Sequence, residues 1–295
     1  MENRLKCVII NREELLIEHQ LDADVLFLLK GLYQYGVWVL NLEGRISKED
    51  MEETVLQADC RLEDSLLIAS QDVTLQNGKE IGLATIAFVN PEKNGQTYSA
   101  ADIVAEGFEE VDFYFLERIY QRKHGIPWRV IETERTYLRE MTVDDVDALY
   151  EIYAKKGMTD YIEPLCENRE DEIAYTKAYI ENMYVYYGYG MWLVCNRKTG
   201  EIIGRAGLNT QEIEGEIVLE MGYLIRKEYQ RQGYAYEVCE AIIDYAREGS
   251  DFLELSCLVE EGNLASLGLL KKLGFSFQKD MDILGKRMKR YVYAL

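Results

Sequence analysis

The stretch that most narrows what this chain can fold into is a short loop, Gln230-Arg-Gln-Gly-Tyr-Ala235, caught between a strand and a helix. Before it, Leu219-Glu-Met-Gly-Tyr-Leu-Ile225 has the apolar content of a buried strand, and an amphipathic helix is expected from about Gly233 to Arg247. Such a loop gathers main-chain N–H groups at a helix start, where the first donors have no partner within the helix and the dipole adds partial positive charge. An anion is the natural occupant, a pyrophosphate above all. Gly233 removes a Cβ where that group must approach the backbone, Ala235 keeps the next contact small, and Arg226, Lys227 and Arg231 bring charge to the same mouth. A glycine beside a helix start also fits a plain turn. The preceding strand and the segments that follow tell the two apart.

The loop lies in the second of two differently patterned halves, as 295 residues allow. Over the first ~125 residues, apolar runs at 7–10, 37–42, 65–70 and 83–89 read as buried strands. They alternate with helical patterns at 25–35, 48–57, 74–81 and 111–122, which predicts a Rossmann-like α/β unit with a parallel sheet. Gly125 and Pro127 then break the pattern, so residues 1–127 form the first expected domain, 128–134 a linker and 135–295 the second. The second half reads as a strand at 135–139, helices at 143–156 and 170–187, and strands at 189–196, 202–209 and 217–225. After the loop come a helix, a strand at 252–258, a helix at 263–272, and strands at 275–281 and 286–294, an α+β order.

The chain carries 33 basic and 53 acidic residues, net −20, and both halves are acidic. That field repels nucleic acid and anionic membranes. It fits a cationic substrate such as an amine, or nothing more than solubility. There is no 18-residue apolar stretch, and Met1–Cys7 lacks a signal peptide's apolar core, so a cytoplasmic location is expected. The six Cys are scattered without a CxxC pair and there are only two His, so no metal site is expected and the thiols read as reduced and mostly buried.

Residues 135–295 resemble the GNAT acetyltransferase superfamily. Gln230-x-x-Gly233-x-Ala235 matches its coenzyme A signature, and Leu219–Ile225 is similar to its fourth strand in the branch of ribosomal-protein N-terminal acetyltransferases. Asn263-Leu-Ala-Ser266-Leu-Gly-Leu-Leu-Lys-Lys-Leu-Gly274-Phe275 resembles that branch's N-x-x-S-x-x-L-x-x-K-x-G-F segment, and Arg139-Glu140 with Val143-Asp-Asp-Val matches the family's opening. The resemblance implies acetyl-CoA as cofactor, with the pantetheine arm on the strand end at Leu224, Ile225 and Arg226. It places the pyrophosphate at the loop residues Gln230, Arg231, Gln232, Gly233, Tyr234, Ala235 and Tyr236, and Asn263 near the pantetheine or a catalytic water. Glu220 is then the base that deprotonates the amine, or a structural carboxylate at a strand edge, since its face is not fixed by sequence. Ser266, one turn beyond Asn263, is placed to face the thioester sulfur. Many relatives carry a general-acid Tyr about seven residues after the Asn; here that position is Leu270.

Residues 1–125 resemble the haloacid dehalogenase-like hydrolases with broken motifs. Val8-Ile-Ile-Asn11-Arg-Glu13 stands where the D-x-D nucleophile strand belongs, with Asn11 in place of the nucleophile and Glu13 in place of the second Asp. Leu66–Asp72 resembles the metal-binding acidic loop with only Asp72 remaining, and Gly82–Phe88 the strand that follows. The resemblance implies a domain without phosphatase activity, left to bind a ligand, to dimerise or to support its neighbour. The expected function is N-acetylation of a primary amine, a protein or peptide N-terminus or a small cationic amine. The alternative is an acetyl-CoA sensor acting on the degenerate hydrolase domain. A third reading, residual phosphatase activity, calls for Mg²⁺-dependent cleavage of a phosphate ester.

Overall fold

The computed structural model describes residues 4–283 and 285–295. It divides into two compact units, Met1–Trp128 and Arg129–Leu295.

The first unit runs β1 (Cys7–Asn11), a 3-10 turn, the two-residue strands β2 (Leu16–Ile17) and β3 (Gln20–Leu21), α1 (Ala23–Leu32), β4 (Trp38–Leu42) and α2 (Lys48–Gln57). It continues with β5 (Ser65–Ala69), α3 (Asp72–Glu80), β6 (Ala84–Phe88), β7 (Ile103–Ala105) and α4 (Phe113–Lys123). Five strands form one parallel sheet in the order β4-β1-β5-β6-β7, a doubly wound arrangement. β1, β5 and β6 are buried along their whole length, as both-sided cover requires. Val8, Ile10, Leu66 and Ile68 pack on residues of α1 and α4, while Ile9, Leu67 and Ala69 pack on α2 and α3. Helix starts follow side-chain capping: Ser47 and Asp50 form a capping box on α2, and Asp22 and Asp112 cap α1 and α4. The expected reduced state of the cysteines is corrected at one pair, because Cys7 and Cys60 are joined in a disulfide; Cys195, Cys239 and Cys257 are free and buried, and Cys166 is free and exposed.

The second unit runs β8 (Arg129–Glu132), β9 (Thr136–Arg139), α5 (Val146–Tyr153), α6 (Arg169–Tyr179), β10 (Met191–Asn196), β11 (Ile202–Ile213) and β12 (Glu216–Ile225). It closes with α7 (Tyr234–Gly249), β13 (Glu254–Glu260), α8 (Leu264–Leu273), β14 (Ser276–Ile283) and β15 (Lys286–Ala294). The segment expected as a linker holds β8, which pairs with β9; its four half-exposed residues give no apolar run from which to read a strand. The eight strands form one sheet, β14-β15-β13-β12-β11-β10-β9-β8, antiparallel throughout except between β12 and β13. The helix expected over 170–187 is α6 followed by a π-helical turn at Ile180–Val185, which turns both Tyr179 and Tyr184 inward. Among the described residues no helix is long and apolar enough to cross a membrane.

Candidate acyl-transfer site

The site begins with a gap in the sheet. β12 and β13 pair at only two positions, Leu219 with Leu255 and Glu220 with Ser256, and then part, although β12 continues to Ile225 and β13 to Glu260. The hydrogen-bond alternation of an antiparallel pair decides which groups line the gap. Arg226 gives its N–H to Ile203 at 2.7 Å on β11, so Leu224 and Arg226 turn their main-chain groups into the sheet, and Tyr223 and Ile225 turn theirs toward the gap. The Met221 carbonyl, on the same edge, accepts from Cys257 Sγ at 3.3 Å. The Ile225 carbonyl accepts from Gln230 Nε2 at 2.8 Å. Of the strand-end residues expected to pair with a pantetheine arm, Ile225 therefore presents its N–H, Leu224 and Arg226 do not, and Tyr223, unassigned from sequence, presents both main-chain groups.

At the mouth of the gap the loop builds a nest. Arg231 has φ +62° and Gly233 φ +86°, so left-handed residues turn successive N–H groups to one side. Among the described residues no hydrogen bond uses the amides of Arg231, Gln232 or Gly233, and those of Tyr234, Ala235 and Tyr236 open α7, where the helix offers no partner. The loop is held from behind. Gln232 donates to the Glu228 carbonyl at 2.8 Å, and Arg135 donates to the Gln232 carbonyl at 2.9 Å. Arg135 also packs over the Tyr234 ring at 4.2 Å and pairs with Glu237 at 2.6 Å, while Glu237 accepts from Thr133 and from the Arg135 amide. Arg135 and Glu237 escaped the sequence reading because they lie 102 positions apart. The charge expected from Arg226 is largely spent: Glu201 and Glu228 bind it at 2.8 and 3.2 Å.

At the last paired rung, where the gap opens, stands Glu220. Its carboxylate accepts from Gln211 and lies under the Leu258 amide of β13, and burial pushes its pKa up to about 7. On β12, Met221 and Tyr223 face α7 and α8, so Glu220 faces the α5–α6 side together with Asn209, its cross-strand partner. On the other face Asn263 caps α8, its Oδ1 accepting from the Ser266 amide at 3.1 Å. Ser266 sits beside the Tyr223 hydroxyl, which is buried without a partner at hydrogen-bond length and whose acidity burial suppresses. Leu270 is core, with no surface exposed. A Cβ on Gly207 would lie 2.0 Å from the Gly190 carbonyl, which accepts from the Leu208 amide at 3.1 Å, so the chain entering β10 runs very close beside β11 there. Among the described residues no group of His, Cys, Asp and Glu is arranged to hold a metal.

A free nest at a helix start, leading into an unpaired strand edge with a raised-pKa carboxylate beyond it, suits a diphosphate-linked pantetheine thioester. It defines the class of acyl-CoA-using transferases. Residues 135–276 match the family described as Acetyltransferase (GNAT) domain. Residues 135–276 of the C-terminal unit thus carry an acetyltransferase domain similar to the GNAT family, which uses acetyl-CoA. The chain is 33% identical over 93 residues to the uncharacterized protein YkkB of Bacillus subtilis strain 168, covering 32% of this chain and 54% of YkkB. It is 28% identical over 148 residues to the uncharacterized N-acetyltransferase YoaA of the same organism, covering 50% of this chain and 82% of YoaA. In fold it is similar to the apo structure of RimL, the ribosomal L7/L12 alpha-N-protein acetyltransferase, with a TM-score of 0.50 at 16% identity, over 57% of this chain and 95% of that one.

Proposed function

We propose that the protein transfers the acetyl group of acetyl-CoA to a primary amine, a protein or peptide N-terminus or a small amine, by direct attack of the nitrogen on the thioester. The observation that carries this reading is Glu220, a carboxylate with a pKa raised to about 7, on the last rung before β12 and β13 separate. The cofactor supplies an activated acetyl thioester. Amides 231–236 hold its diphosphate, and Tyr223 and Ile225 pair with the arm along the open edge. Glu220, directly or through one water, takes the proton from the arriving ammonium, because only the neutral nitrogen is nucleophilic. Asn263 orients the head of α8, and Ser266 stands ready to protonate the departing thiolate.

The same reading treats the N-terminal unit as a haloacid dehalogenase-like scaffold without its chemistry. Asn11 ends the first strand of the parallel sheet, and its amide bonds Glu14 and the Gly44 carbonyl; Asp72 binds Thr97 and Tyr98. The sensor alternative keeps acetyl-CoA binding and discards turnover. Thiol release and product mass over amines and peptide N-termini separate them. Glu220→Gln is expected to lower kcat roughly 100-fold or more while calorimetric coenzyme A affinity holds. A wild-type rate removes Glu220 from the reaction, and tight acetyl-CoA binding with no amine consumed favours the sensor.

A further inference from the structure

Arg205, on β11, is a guanidinium without a counter-ion. In a chain of net charge −20, the other enclosed arginines of this unit are matched: Arg139 by Asp145 at 2.6 Å and Arg290 by Glu254 at 3.1 Å. Among the described residues Arg205 forms no ion pair, and its Nε is buried with no hydrogen-bond partner. Its surroundings are tyrosines: the guanidinium lies 5.4 Å from the Tyr179 ring centroid, with the neutral hydroxyls of Tyr153 and Tyr179 as its side-chain partners and Tyr184 close by. Taking a charge out of water with only neutral tyrosines around it and its Nε unsatisfied is costly, so a side chain in this state suits an anion that arrives with a ligand.

We propose that Arg205 forms an anion subsite for the acceptor and that the acceptor is an amine carrying its own carboxylate, of the amino-acid type. The inference rests on the acetyl-transfer reading and sharpens it. Residues 205, 209 and 211 share one face of β11, and β12 sets Leu224 opposite Arg205 and Glu220 opposite Asn209. Tyr179 links the two rungs, with its ring against the guanidinium and its hydroxyl 3.3 Å from Asn209 Oδ1. The base and the unpaired cation are thus about one tyrosine side chain apart on the same face. The planar fork of arginine suits a carboxylate, and a carboxylate there leaves the amine of the same molecule free to point at Glu220. The acidic chain as a whole suggests a purely cationic acceptor; Arg205 assigns it a zwitterion.

The test uses the full chain with acetyl-CoA and compares L-lysine and L-glutamate with their α-carboxamides by thiol release and product mass. The acids are expected to exceed the amides in kcat/KM by on the order of 100-fold, mostly in KM. Arg205→Met is expected to erase that preference by bringing kcat/KM for the acids down to that for the amides, and Arg205→Lys to keep part of it. Equal use of acids and amides, or a preference that survives in a folded Arg205→Met protein, overturns the proposal and leaves acetyl transfer standing. If no amine is consumed, the acetyl-transfer reading fails instead. The subsite is then judged by calorimetric titration of N-acetyl-L-glutamate into the coenzyme A complex, and binding that is absent or indifferent to Arg205→Met overturns it.

Discussion

Glu220 carries consequences for both rate and stability. With its pKa at about 7, kcat/KM is expected to rise with pH along a single ionisation and level off above that value. Gln211→Ala removes a hydrogen bond that favours the charged form, so the midpoint of that profile moves upward; an unmoved midpoint means that another group limits the rate. The stability effect has the opposite sense. An unfolded Glu loses its proton near pH 4.3, while the native one keeps it to about 7, so the native state loses ground as pH rises through that window. Glu220→Gln is therefore expected to gain about 2 kcal/mol over wild type between pH 5 and 8, read from thermal melts at both. At this scale the sequence was legible where chemistry is local. Gln230, Gly233 and Asn263 announce themselves by spacing, whereas Tyr223, Gln211 and Arg205 acquire meaning only from the assembled sheet, which sets Gln211 diagonally across from Glu220 and packs α6 so that Tyr179 lies over Arg205.

Among the elements, the start of α7 depends on Gly233. At φ +86° any other residue is strained by roughly 1 kcal/mol, and a Cβ there lies 3.3 Å from the Arg135 guanidinium, so Gly233→Trp also displaces the arginine that holds the loop. Loss of coenzyme A binding with a retained fold is expected; unchanged affinity by calorimetry shows that the diphosphate lies elsewhere. In the first unit, Glu14 occupies the corresponding place at the head of α3. Only 2% exposed, it accepts from the Ser70 and Gln71 amides at 2.8 and 3.0 Å, from Thr74 at 2.5 Å and from Asn11 at 2.7 Å. Glu14→Ala strands several buried donors and is expected to cost about 3 kcal/mol, measured by denaturant unfolding. Long, strongly patterned elements such as α2, β5 and β15 could be read from sequence within a residue or two. β2, β3 and β7 could not, since two or three residues carry no period, and the π-helical turn after α6 keeps the polar and apolar spacing of an ordinary helix.

For the whole molecule, charge opposes the cofactor that the nest attracts. A chain at −20 repels a polyanion at long range, while the main-chain donors act only at contact. The association rate of coenzyme A is thus expected to rise severalfold between about 0.01 M and about 0.15 M salt, with a much smaller change in dissociation rate. A stopped-flow rate that falls with salt indicates a local positive field stronger than Arg231 and Arg135 provide. The change from a parallel to a mixed sheet was legible because buried runs alternating with helices give way to a strand meander. The boundary was less so, because the half-exposed β8 is told from a connector only by its pairing with β9.

The close approach of residue 190 to Gly207 beside it sets a limit on how this enzyme can change its diet. With a carbonyl 2.0 Å from where a Cβ would stand, even alanine at 207 must lift the main chain before it reshapes the chamber. On the acetyl-transfer reading, new acceptor preferences are therefore cheaper to acquire through the side chains of α5 and α6, while the sheet at Gly207 stays as it is.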